Sequence, residues 1–311
     1  MAPMTSRSRR NAAAVRARRP VGGWDVQQLL ARLRAQIASP GYKPPMLPAV
    51  ALQVHALSRR PDATPQTILP VLERDPMLAA DVLPRASGVD IAGRNPPKSL
   101  RDAAMRLGTR GLGGFVLEVA LNGRIFRVPG LEEPMRELQR HSTVVAAAAR
   151  AVAQHAGVDD PDAAELAGLL HDVGVAAGLH VLGGVVDNDA VPSEILAQMV
   201  LGYGAEAGEI VTSSWTLPSE IASAVSHFAD PIFPVKRADG TTSETWDVVG
   251  ACVALDHPIA MEVSPPTSPF AAALGHVSEQ GLAHACLVLG CDGEEVAALR
   301  ERVAELSIRT L

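Results

Sequence analysis

Residues 169–174 read Leu169-Leu170-His171-Asp172-Val173-Gly174, placing a histidine beside an aspartate inside an otherwise apolar helical pattern. Burying both polar groups costs free energy unless something pairs them. A divalent cation does so, taking a neutral imidazole nitrogen and a carboxylate oxygen as ligands. Adjacent residues on a helix point about 100° apart, so the cation would lie over a cleft where several helices converge, as in the cores of helical bundles. Two ligands are too few. The further candidates are His141, on the preceding long helical pattern, and Asp256, at the end of a later apolar one. The competing reading is a hydrogen-bonded core pair in which the carboxylate fixes the imidazole tautomer.

The surroundings of this string are helical throughout. The pattern opening at Pro161 extends to about Ala177, with Pro161 and Asp162 suited to a helix N-terminus. Upstream, a long helix is expected over about 133–155. Before it come the pattern from Trp24 to Ile37, then 49–58, 65–74 and 76–83 (with Pro84 as terminator or kink), then Ser99-capped 100–107 and 109–121. Downstream, helices are expected at 192–200, 205–215, 218–227 and 243–256, and two more over 268–311, the last at 294–308. No run of alternating strand residues stands out, and aromatic residues make up only 3% of the chain, which argues against a β-sandwich or barrel. The expected fold is all-α, a two-lobed helical bundle with a smaller lobe over about 44–121 and a second from about 134 to 234 that continues to Asp256.

A chain of 311 residues buries roughly three quarters of its unfolded surface, so neither metal nor disulfide is needed to hold its core. Cys252, Cys286 and Cys291 are an odd, late-clustered set that implies no disulfide framework and suits a reducing, cytoplasmic setting. The longest apolar runs noted, such as 144–149, are far shorter than a bilayer-spanning helix, and no membrane partner is expected. The net charge of −6 hides an asymmetry: Arg7, Arg9, Arg10, Arg16, Arg18 and Arg19 stand in the first 20 residues without an acid, leaving 22 basic against 34 acidic residues in the rest. An acidic body offers no electrostatic footprint for nucleic acid. The arginine-rich start lacks the uninterrupted apolar stretch of an export signal and reads as a disordered, solvated tail over 1–22.

His141 with Ser142, the string 169–174, and Asp256 together resemble the signature of the HD superfamily of metal-dependent phosphohydrolases. Leu47-Pro48-Ala49-Val50, Arg74-Asp75-Pro76-Met77-Leu78-Ala79 and Ser99-Leu100-Arg101-Asp102-Ala103-Ala104-Met105-Arg106-Leu107-Gly108 follow in order. These resemble the landmarks of the HDOD domain, the regulatory relative of those hydrolases, and Gly208, Trp215, Leu217-Pro218, Ile221 and Ala224 continue the likeness. The resemblance places an HDOD domain over 39–235, followed by a helical extension over 236–311. It implies a bacterial signal-transduction module that acts by binding signalling proteins or a small ligand in the groove between lobes. The C-terminal helices are expected either to complete the lobe or to make a homodimer contact.

Departures from the active enzymes point the same way. Val175 stands where many HD hydrolases carry a lysine, and Gly204, Phe228 and Ala229 stand where relatives carry histidines, with His227 one place out of register. A two-metal site therefore lacks ligands. What remains is a single-metal set, His141, His171, Asp172 and Asp256, either vestigial or holding one divalent ion, with His257 read as equally a surface residue. No catalytic residue is expected, and the alternative is a single-metal phosphohydrolase in which Asp172 also orients water. His55 and His155 sit within helical patterns and read as partly exposed or hydrogen-bonded, His180, His276 and His284 have no spaced partners, and none of the five is given a role.

Overall fold

The computed structural model describes residues 25–44, 47–86, 97–125, 127–184, 191–215, 217, 219–236 and 242–307. The arginine-rich tail lies outside the described residues. The described chain is helical apart from one hairpin. In order run α1 (Val26–Ile37), α2 (Ala49–Ser58), α3 (Pro65–Leu72), α4 (Pro76–Ala86), α5 (Leu100–Arg124), α6 (Glu132–His155), α7 (Pro161–Leu170), α8 (Val173–Gly183), α9 (Ser193–Ser214) and α10 (Ser219–His227). Strands β1 (Ile232–Lys236) and β2 (Thr242–Trp246) follow, then α11 (Val248–Val263), α12 (Pro269–Leu274), α13 (Glu279–Leu289) and α14 (Gly293–Ser307).

Helices α2 to α5 pack mainly on one another and form one lobe; α6 to α11 form the other. Helix α1 joins the second lobe, lying on α9 and α8, where Leu29, Leu30, Leu33 and Ile37 are buried. Arg34 fastens it, donating to the Gly202 carbonyl at 2.7 Å and to Glu206 at 2.9 Å while lying over the Tyr203 ring. The C-terminal helices complete the same lobe: α12 packs on α9 and α6, and α13 and α14 pack on α11. Glu137 of α6, itself buried, accepts the hydroxyls of Thr267 and Ser268 at 2.9 and 2.8 Å and so ties down the approach to α12.

Differences from the sequence expectations have local causes. The boundary expected between 100–107 and 109–121 is present as a break within α5 at Gly108, whose φ of 69° and ψ of 176° only glycine adopts freely. The 192–215 region is one unbroken helix despite Gly202 and Gly204. Residues 243–246, expected to open a helix, instead pair with β1 in the register Ile232↔Trp246, Pro234↔Glu244 and Lys236↔Thr242. Pro234 is tolerated because both strands of a two-stranded ribbon are edges. The apolar stretch Pro161–Gly183 is long enough to cross a membrane by composition, a length the sequence reading missed; 83% of its most apolar window is buried inside the fold.

That stretch is also not one helix. Asp172, at φ −99° and ψ 17°, leaves the helical region, and its carbonyl accepts Val175 N at 2.9 Å and so starts α8. Two close crossings hold the break in place. A Cβ on Gly168 would lie 2.9 Å from Ala146 Cα of α6, and one on Gly174 would lie 2.1 Å from the Gly204 carbonyl oxygen and 2.2 Å from Gly208 N of α9. The missing side chains let α7 and α8 seat directly on backbone.

Candidate functional site

The break between α7 and α8 aims two side chains into the second lobe. His171 caps α7: its Nδ1 donates to the Gly168 carbonyl, 2.6 Å away, one of the acceptors that a helix end leaves without a partner. This bond requires the proton on Nδ1 and turns the Nε2 edge inward. Asp172 follows, its Oδ2 3.1 Å from that Nε2 and 3.6 Å from Nε2 of His141, which projects from the middle of α6. The two histidine Nε2 atoms are 3.1 Å apart.

A third imidazole completes the group. His257 of α11 points Nε2 at His171 Nε2 across 3.3 Å and donates through Nδ1 to the Val253 carbonyl at 2.5 Å. The ligand atoms of His141, His171 and His257 lie within 4.8 Å of one another. The cluster is closed: His141, His171, Asp172 and His257 are 9, 2, 7 and 0% exposed. Phe228 lies flat on the His257 ring, centroids 5.3 Å apart, and edge-on to His171 at 5.0 Å. Burial, and then the neighbouring His171, hold the His141 and His257 rings well below the ordinary histidine range.

Of the four residues expected to converge, the structure brings together His141, His171 and Asp172. Asp256 needs correction. Its carboxylate lies on the Nδ1 edge of His257, 3.5 Å away, opposite the edge that faces His171. Both its oxygens are buried without a hydrogen-bond partner, and burial drives its pKa well above the carboxylate range. The side chain turned inward at this point is its neighbour His257, which is fully buried. The donors present suit a divalent ion: three imidazoles fixed or free to offer Nε2, and one carboxylate whose inward oxygen has no hydrogen-bond donor.

Two of the positions that depart from the hydrolase pattern touch one another: a Cβ on Gly204 would stand 3.0 Å from Val175 Cγ2, so a side chain at 204 would require Val175 to shift.

A separate groove of about 340 Å³ opens between the lobes, walled by α2, α5, α6 and α7. Its floor is apolar, with Phe115, Leu117, Leu166 and Leu169. Its rim carries Arg59 paired with Asp160, Arg150 paired with Asp162, and Arg110, 3.6 Å from the same Asp162. Gly111 and Gly114 open the α5 wall; nothing lies within 4 Å of where a Gly114 Cβ would be. His55 lines the groove with both ring nitrogens buried and unpartnered, and burial, then Arg59, lower its pKa to about 4.

Comparison with known proteins gives one family. The sequence model of the HDOD domain matches residues 45–231. None of the curated proteins matches the chain. Among solved structures, one similar chain is a "Putative metal-dependent phosphohydrolase" from Shewanella amazonensis SB2B, 21% identical, with a TM-score of 0.56 over 89% of this chain and 99% of that one. Another is an HDOD domain protein with unknown function from Geobacter sulfurreducens, 22% identical, with a TM-score of 0.54 over 91% and 99%. A third is a "Putative signal transduction protein" from Marinobacter aquaeolei VT8, 19% identical, with a TM-score of 0.60 over 91% of this chain and 64% of that one. At these identities the likeness is one of fold, and the fold is all-α.

Proposed function

The chain belongs to the HDOD domain family, and from that premise we propose that it is a regulatory signal-transduction module that acts by binding rather than by turnover. The observation that carries this reading is the closure of the histidine–aspartate cluster. A hydrolytic metal keeps an open coordination position that water and substrate can reach. Here Phe228 packs flat on one ring and edge-on to another, and uncharged Val175 stands where the resemblance puts a lysine that would meet phosphate. The groove between the lobes is open instead, and a small ligand or a segment of a signalling protein is its occupant in this reading. Three free thiols suit work in a reducing cytoplasm.

The second reading, a single-metal phosphohydrolase, is favoured by the convergence of the three Nε2 atoms beside Asp172. One experiment separates the two. The full chain, loaded in turn with manganese, iron and zinc, is assayed against phosphomonoesters, phosphodiesters and nucleotides, with His171→Ala alongside. The binding module gives no turnover above that of the metal salts. Turnover that depends on the metal and disappears in His171→Ala establishes the enzyme.

A further inference from the structure

We infer that the groove between the lobes is the site of a small aromatic monoanion, a flat carboxylate whose rings lie against the Gly111 and Gly114 wall of α5 and whose charge pairs with Arg110. The inference rests on the binding reading above and names the ligand class of that groove.

Three observations carry it. The first is a pair of glycines that the fold does not require. Gly113 between them has a packing reason, since a Cβ there would run into the Ser58 side chain of α2. Gly111 and Gly114 have none: neither has a positive φ, a Cβ on Gly111 would make an ordinary 3.6 Å contact with Leu107, and one on Gly114 would meet nothing within 4 Å. Glycine inside a helix is destabilising relative to alanine, so these two positions give up stability and leave open space in the groove. Across from them the α6 wall presents Ala146 and Ala147. Walls that carry nothing larger than a methyl group, one from each lobe, suit a flat body over the apolar floor.

The second is the charge at the rim. Arg59 pairs with Asp160, and Arg150 with both Asp162 and Glu165. Arg110 is held loosely, its side chain 72% exposed and 3.6 Å from an Asp162 that Arg150 already engages. It is the cation that an incoming carboxylate can take over, with its guanidinium also able to lie on a ring. The three arginines lining the groove are matched by Glu118, Asp162 and Glu165. That balance accommodates one negative charge through Arg110 and disfavours a phosphate dianion.

The third is what the interior lacks. The two hydroxyls lining the groove, of Ser58 and Thr143, donate to the His55 and Gln139 carbonyls of their own helices, and the ring nitrogens of His55 are buried. A nucleobase edge or a peptide backbone placed there would leave polar groups without partners, a cost that an apolar ring does not incur. Size points the same way: one turn of helix, about 10 Å across and 5.4 Å tall, displaces about 420 Å³, more than the groove's 340 Å³.

The test is calorimetric titration of the full chain with 2-naphthoate, with 2-naphthamide as its uncharged counterpart and adenosine monophosphate as a polar dianion. The naphthoate should bind one equivalent with a Kd on the order of 0.1 mM, the scale for a ligand of about 13 non-hydrogen atoms. The amide should bind at least about fivefold more weakly and the nucleotide at least about tenfold. Gly114→Leu should weaken naphthoate at least about tenfold while unfolding at or above the parent's Tm, because leucine is the better helix former and the space for it is open. Arg110→Gln should bring naphthoate down to the affinity of the amide and leave the amide unchanged; its exposed position keeps the test decisive if the leucine disturbs the fold. Three results overturn the inference: no saturable naphthoate binding up to about 2 mM, naphthoate binding that neither variant weakens, or amide or nucleotide binding as tight as naphthoate and lost in Gly114→Leu. The last would strike the ligand class and leave the groove as a binding site. Metal-dependent turnover in the assay above would strike the binding reading and leave these affinities as they stand.

Discussion

Replacing Gly174 by alanine adds one methyl group at the tightest crossing beside the site. In place, that carbon would lie 2.1 Å from the Gly204 carbonyl oxygen, 2.2 Å from Gly208 N and 2.8 Å from Gly208 Cα. All three are backbone atoms of α9, so no side chain can swing aside, and the helices must part by about 1 Å to reach ordinary contact. A gap of that size forfeits a quarter to a half of each dispersion contact across the interface. Overpacking of this kind costs about 1–3 kcal/mol, and three backbone contacts place the cost at the top of that range or above it. Alanine recovers about 1 kcal/mol in helix propensity. The net loss is about 2–3 kcal/mol, a fall in Tm of roughly 3–5 °C for a chain of this length. Gly114→Ala is the matched control: the same substitution in α5, with nothing within 4 Å of the new carbon, should gain about 0.5–1 kcal/mol. Urea unfolding followed by circular dichroism measures both. A Gly174→Ala protein as stable as the parent would refute the direct backbone seating of α8 on α9, and with it the account of how the break is held.

Lowering the pH should destabilise the fold through His55. Its pKa is about 4 in the fold against about 6.5 unfolded, so between these values the unfolded chain binds a proton that the native one does not, and stability falls with pH across that window and no further below it. Stability relative to His55→Leu should therefore drop by roughly 2–3 kcal/mol between pH 7.5 and 4.5, as read by urea unfolding at each pH, and a constant gap would mean that the ring ionises freely in the groove. Glu137→Ala removes the acceptor of two hydroxyls and should cost about 2 kcal/mol in thermal unfolding, with Glu137→Gln losing less than half of that; equal losses would assign the effect to packing. Arg34→Ala should cost about 1 kcal/mol and speed amide hydrogen exchange in α1 more than in α6, because its bonds hold α1 to α9; uniform exchange across both helices would contradict that local role.

The helical architecture was legible because most helices declare their ends. Asp25, Ser99, Asp160 and Ser268 each cap a helix with a side-chain oxygen, and Pro161 sits at a first turn. The break at Gly108 was read correctly as a boundary, since only a glycine there separates two apolar patterns. The hairpin escaped notice because Pro234 sits in one strand and polar residues fill the other. His171 and Asp172 stood out as adjacent polar residues in an apolar helix end, with His141 on the preceding long helix as their candidate partner. His257 was missed for a physical reason: from Ala251 to His257 every residue of α11 is buried. A helix covered on all sides has no polar face, so nothing in its pattern tells which of two adjacent residues looks toward α6 and α7. Only the packing of α11 decides between Asp256 and His257, and packing is not written in one helix's own sequence.

The stretch Pro161–Gly183 also bears on how the chain is made. While still unfolded it offers 23 consecutive residues apolar enough to partition into a bilayer. Asp172 is the twelfth of them, at the midpoint, where an aspartate raises the cost of membrane insertion by about 2.5–3.5 kcal/mol. That is comparable to the gain from about six leucines at the helix centre. The residue that turns the folded helix and faces the histidines therefore also biases the nascent segment toward the interior of its own protein, before any tertiary contact has formed.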